Sequence, residues 1–257
     1  MLRIAVCIKS VLTGTQDGTE RNEKSTGMNP ADLFALETAL TAALGEREVS
    51  VFSMGPQATA GTLLMDVARF GADRLFLLAD RAFAGSDTFA TAKILCRALE
   101  STGPYDLILC GERAIDGETG QVPGELSAML GLPFLPCIFS LQLADGTLRC
   151  QSLLEEGTQE LRAALPAVAS VTCGMTQITH PLMPSLRSLR KARGLGLTVL
   201  DCNTLAFRQE EVGQAGSLTR VQKTFSPTLT RACRFARNAA EGAELTATFC
   251  RGVKKTP

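Results

Sequence analysis

Along the first half of the chain, short unbroken apolar runs alternate with stretches whose apolar positions recur at three and four residues. RIAVCI (3–8), EVSVFSM (48–54), RLFLLAD (74–80) and YDLILCG (105–111) have strand length and no polar alternation, as strands covered on both faces do. Helical patterns follow at 30–44, 58–70, 88–99 and 118–130. In the first of them Asn29-Pro30 opens the helix, and Leu33, Leu36, Ala39, Leu40 and Ala43 share one face. Strands alternating with helices in this way predict an α/β fold, doubly wound around a mainly parallel sheet. After Pro133 the pattern changes. Asp145-Gly146 between two strand-like runs predicts a hairpin, and ELRAALPAVASVT adds a strand or two, which together make a small β extension. Beyond Pro181 the text turns Pro-, Gly- and Arg-rich. The tail from about Asp201 has little periodicity and is too long for an isolated loop, so it is expected to lie on something, another chain being one choice.

The balance of 26 basic against 26 acidic residues among 257 gives no basic footprint, which argues against nucleic acid as a partner. No apolar run reaches the roughly 18–20 residues of a membrane span. The start, MLRIAVCIKS, is too soon charged for a secretory signal, so a cytoplasmic location is expected. The nine cysteines are scattered without a Cys-x-x-Cys, several of them inside apolar runs, and read as reduced, buried small hydrophobes. His180 is the only histidine and reads as a loop residue. No metal site is expected.

In open parallel sheets, ligands bind at the carboxyl ends of the strands, where helix N-termini offer free N–H groups. Three segments fall there: Met28 to Asp32, Asp80 to Thr88, and Gly111 to Gln121. In the last, glycines flank a helix start, so Thr119, Gly120 and Gln121 either cap a helix after a turn or present N–H groups to a phosphate. Asp87-Thr88 similarly reads as an N-cap or as a ligand contact. Neither G-x-G-x-x-G nor a P-loop occurs. No catalytic constellation stands out, so no catalytic residue is assigned; a cofactor would carry the chemistry while the protein positions it. From its spacing, 182–193 is a helix with an apolar and a basic face, unless leucine and arginine there form a docking element.

IAVCIK, MNPADLFALETAL, FGADR, RAFAGSDT, AIDGETGQ, LPAVASVT, PSLRSLRKAR and GSLTRVQKTFSP, in this order to about Pro227, resemble the beta (small) subunit of electron-transfer flavoproteins. The resemblance implies an adenine-nucleotide-binding, Rossmann-like domain at 1–200, with a recognition loop at about 180–194. It implies an arm at 201–257 packed on an FAD-carrying alpha subunit in a heterodimer. Nucleotide contacts would fall on Cys7, Asn29, Pro30, Ala31, Asp32, Met54 and the loop from Gly111 through Asp116 and Thr119 to Gly120, Gln121 and Val122. Within the family the pocket holds either structural AMP or a second FAD. RAFAGSDTFAT is similar to the electron-bifurcating, anaerobic group, which implies FAD, with Asp87, Thr88 and Thr91 near it. NADH would be the electron donor, and ferredoxin or flavodoxin and an acyl-CoA dehydrogenase-type flavoenzyme the acceptors. Leu186 matches the family's docking anchor, with Arg187, Leu189 and Arg190 beside it. The alternatives are a classical AMP-binding scaffold subunit and a stand-alone adenine-nucleotide-binding protein.

Overall fold

The computed structural model describes residues 1–12, 26–173, 182–223 and 235–252. The chain divides into two compact units, Met1–Arg220 and Val221–Pro257. In the first, the elements run β1 (Leu2–Ile8), β2 (Ser10–Leu12), β3 (Thr26–Met28), α1 (Pro30–Thr41), β4 (Arg47–Met54), α2 (Thr62–Ala68), β5 (Arg74–Leu78) and α3 (Thr88–Thr102). They continue with β6 (Leu107–Gly111), α4 (Val122–Leu130), β7 (Phe134–Ala144), β8 (Thr147–Leu154), β9 (Gly157–Ala164), β10 (Ala167–Val171), α5 (Leu186–Ala192), β11 (Leu197–Leu200) and α6 (Gly213–Gly216). Their main sheet has the order β11-β5-β4-β1-β6-β10-β7-β8-β9. From β11 to β7 every pairing is parallel, and β7, β8 and β9 close the sheet as an antiparallel meander. The chain winds outward from β1 in both directions, as the doubly wound reading predicted.

The period-two geometry of strands explains why both faces are apolar. In β1, Ile4, Val6 and Ile8 face one cluster with Ala35 and Leu36 of α1 and Leu64 of α2. Ala5 and Cys7 face the other, with Ile94 and Leu95 of α3 and Leu126 of α4. On this second face Phe52 stacks on Phe76 at 4.7 Å between ring centroids and meets Tyr105 edge-on at 5.7 Å.

Several boundaries differ from the pattern. Helix α4 begins at Val122, not 118, because Glu118 and Gly120 hold φ of 50° and 63° and keep the preceding residues in a loop. The helix expected at 58–70 starts as a wide π-type turn over Gln57–Gly61 and becomes α-helical at Thr62. β11 hid inside a Gly-rich run as an edge strand with Thr198 and Val199 facing outward. After it, Cys202, Leu205, Phe207 and Val212 are buried in the second cluster. Cys202 N–H donates to Asp80 at 3.0 Å, and Lys93 Nζ to the Glu211 carbonyl at 3.2 Å, so this segment lies on the first unit itself.

In the second unit, α7 (Ala239–Gly252) is capped by Asn238, whose Oδ1 accepts from Glu241 N–H at 2.9 Å, while Glu241 Oε2 accepts from Arg237 N–H at 2.8 Å. The described cysteines Cys7, Cys96, Cys110, Cys150 and Cys202 are buried free thiols, Cys137 is half-buried, and Cys173 is exposed. The expected loop position of His180 lies outside the described residues. No helix among the described residues is long and apolar enough to cross a membrane.

Phe52 has no exposed surface, and its removal leaves a cavity between Phe76 and Tyr105. Phe52→Ala is expected to cost about 3–5 kcal/mol in urea unfolding, against about 0.5 or less for the exposed Val221→Ala.

Candidate functional site

The winding direction reverses at β1, between β4 and β6, and a cavity of about 480 Å³ opens at the carboxyl ends of these strands. That volume is within the range of small-ligand sites. Cys7, Met54, Cys110 and Gly111 from the strand ends line it, and so does Asp32 of α1. One wall carries Asp87, Thr88 and Thr91 at the start of α3, together with Ser86 and Thr219. Opposite it in sequence are Thr119, Gly120, Gln121 and Val122 at the start of α4. Thus eleven of the fifteen residues expected at a nucleotide line one cavity, although they come from five separate stretches.

The other four stand behind it. Asn29 is buried, donates from Nδ2 to Asp32 Oδ1 and to the Arg113 carbonyl at 3.0 Å each, and accepts from Ile115 N–H at 3.1 Å. It fastens the 113–115 loop to α1. Pro30 starts that helix, and Ala31 packs beneath Gly111. Asp116 pairs with Lys9 Nζ at 2.8 Å near the surface. Pattern reading missed Lys9 and Thr219, which line the cavity but show no helical or strand periodicity that would single them out, and it covered Ser86 and Arg113 only as members of the expected segments.

Asp32 is strongly perturbed. Burial pushes its carboxyl up to about 7, against hydrogen bonds from Asn29, from Lys9 N–H and from Gly111 N–H that favour the charged form. Gly111 is required by close approach. A Cβ at this position would strike Asp32 Oδ1 and would lie 2.8 Å from the Ala31 carbonyl carbon.

The two helix starts differ. Asp87 caps α3, accepting from Ala90 N–H at 2.9 Å with one oxygen, and from Thr219 N–H and Oγ1 at 2.8 and 2.9 Å with the other. These bonds lower its pKa despite partial burial. Its carboxylate is therefore spent on its own chain and fixes Thr219 at the rim. Thr88 donates to Glu125 at 3.0 Å or Gln121 at 3.2 Å, joining the two helix starts. At α4, by contrast, no side chain caps the N-terminus. Its first N–H groups and dipole are available to an anion, and Gly120 brings the backbone close.

Beyond the cavity, Ser185 caps α5 by accepting from Ser188 N–H at 3.0 Å. Leu186 is 78% exposed, Arg187 and Arg190 are exposed, and Leu189 is half-buried. The simpler expectation, a helix burying its leucine face, fails at Leu186 because the short helix seats Ser188 inward instead. The preceding Thr179-His180-Pro181 lies outside the described residues.

A doubly wound α/β domain with a phosphate-ready cavity at its switch point defines a nucleotide-binding class of protein. Within that class, the model of the electron transfer flavoprotein domain matches residues 19–189. The chain is 34% identical over 209 residues to an electron transfer flavoprotein subunit beta of Thermoanaerobacterium thermosaccharolyticum, covering 80% of this chain and 78% of that one. It is 31% identical over 241 residues to the subunit beta of Megasphaera elsdenii, 88% of each chain being covered. With the caffeyl-CoA reductase-Etf complex subunit CarD of Acetobacterium woodii it shares 31% over 238 residues, again 88% of each. The chain belongs to the electron transfer flavoprotein family, and to its beta-subunit type.

Because the folded pKa of Asp32 lies above the ordinary 3.8, the folded state holds the proton longer than the unfolded chain does. The stabilisation is complete below pH 3.8 and is lost as pH rises to about 7, a span of about 4 kcal/mol. The stability advantage of the parent over Asp32→Asn, measured by urea unfolding at a series of pH values, should therefore shrink across this window and level off above it. A pH-independent difference would contradict the assignment.

Proposed function

We propose that this chain is an electron-transfer flavoprotein beta subunit whose cavity holds FAD, working in a heterodimer with an FAD-carrying alpha subunit. The observation that carries the reading is the chemical division of the cavity. The uncapped start of α4 suits a phosphate, whereas the hydroxyls of Ser86, Thr88, Thr91 and Thr219 suit a polyol chain, which FAD has and AMP lacks. Held by these residues, FAD would supply hydride and single-electron chemistry, for which NADH would be the donor and ferredoxin or flavodoxin and the alpha-subunit FAD the acceptors. The protein's own residues position and shield. Gly120, Gln121 and Val122 face the phosphates through N–H groups. Gly111 lets α1 close under the cavity, and Asp87 holds Thr219 at its mouth. No side chain needs to act as acid or base.

The electrons passing through the alpha subunit reach an acyl-CoA dehydrogenase-type flavoenzyme, in keeping with the name of the caffeyl-CoA reductase-Etf relative. Leu186 anchors that contact, and Arg187, Leu189 and Arg190 form its rim.

Denaturing the purified heterodimer and quantifying the released nucleotides tests the cofactor. Two FAD per heterodimer and no AMP are expected, whereas one FAD with one AMP would make the chain a classical scaffold and docking subunit. Leu186→Ala should leave this nucleotide content unchanged and weaken electron delivery to the dehydrogenase about tenfold, the order expected from burying one leucine. Unchanged delivery would remove the docking role.

A further inference from the structure

The floor of the cavity carries two thiols whose chemistry the function proposed above does not use. Cys7 is the last residue but one of β1 and Cys110 the last but one of β6, and the two are register partners across adjacent parallel strands. Parallel neighbours lie about 4.8 Å apart, within the 4.4–6.8 Å Cα window of a disulfide. Register partners also project to the same face, and both side chains line the cavity and belong to the second core cluster. Both are free thiols, 8% and 5% exposed, so the cavity is their route to solvent.

We propose that Cys7 and Cys110 form a vicinal dithiol on the cavity floor, a modification site for low-molecular-weight disulfides, with Cys7 as the attacking and Cys110 as the resolving thiol. The order follows from their surroundings. Cys7 is the more exposed of the two, whereas hydrogen bonding to Cys7, burial, and the charges of Cys7 and Asp32 all push the Cys110 thiol well up, which makes Cys110 the slower to ionise. The Cys7 thiolate attacks one sulfur of the disulfide, the S–S bond breaks, and one equivalent leaves as a thiol. The mixed disulfide places an adduct in the cavity. Cys110, on losing its proton, then attacks the Cys7 sulfur and releases the second thiol. The dithiol gives up two electrons and two protons, and one external disulfide becomes two thiols. The adduct would exclude a nucleotide from the cavity, a consequence that rests on the cofactor reading above; the thiol chemistry does not.

The full-length chain as purified would be incubated with glutathione disulfide, its remaining thiols alkylated, and the modified cysteines mapped by mass spectrometry. The expected product is a Cys7–Cys110 linked peptide pair in the parent. In Cys110→Ala a glutathione adduct should accumulate on Cys7, about tenfold above the parent. Cys7→Ala should leave Cys110 alkylatable. Glutathione confined to the exposed Cys173, with Cys7 and Cys110 still alkylatable in the parent, would overturn the proposal without requiring any variant to fold. So would equal Cys7 adduct in the parent and in Cys110→Ala. Repeating the reaction with added AMP separates the two readings: linkage that AMP does not slow would keep the dithiol and count against a nucleotide in this cavity.

Discussion

Asp32 brings together segments that are far apart in the sequence. Its carboxyl accepts from Lys9 N–H just past β1, from Asn29 beside it, and from Gly111 N–H at the end of β6. The two strand ends where the sheet changes winding direction are thereby held against the first turn of α1. The arrangement is crowded and polar inside an apolar surround, which is why position 111 has no room for a side chain and why the carboxyl binds its proton so tightly. Every other part of the site is placed relative to this junction. The cavity opens beside it, the 113–115 loop is tied to it through Asn29, and α4 follows that loop.

Around the junction, the two faces of the cavity mouth are built differently. At α3 the chain satisfies its own helix start through Asp87, and uses the second carboxylate oxygen to secure Thr219 from the far end of the unit. At α4 nothing comparable occurs, and the N-terminal N–H groups remain for an anion.

Much of the outcome was legible from local patterns. Unbroken apolar strands followed by amphipathic helices required burial on both faces of a sheet, and Asn29-Pro30 and Asp87 mark helix starts that the structure keeps. The Asn-x-x-Glu signal at Asn238 and Glu241 was also present in the sequence, though the surrounding tail obscured the helix it opens. Less legible were elements whose stability comes from neighbours. β11 forms in a Gly-rich run because β5 offers a free edge, and 201–212 packs on α3 through residues such as Phe207 that show no period.

The sequence by itself determined the alternation of strands and helices in the first half, helix starts such as Asn29-Pro30, and the segments at the carboxyl ends of the strands, because these depend on residue type and on spacings of two to four positions. Tertiary structure alone decided which thiols meet, which carboxyl is buried and which helix start stays uncapped. Cys7 and Cys110 are about a hundred residues apart in the chain and become neighbours only through strand register. Asp32 is an ordinary first-turn acid until β6 closes over it. Leu186 reads as a core residue by its spacing, and it is exposed because the short α5 turns Ser188 inward instead.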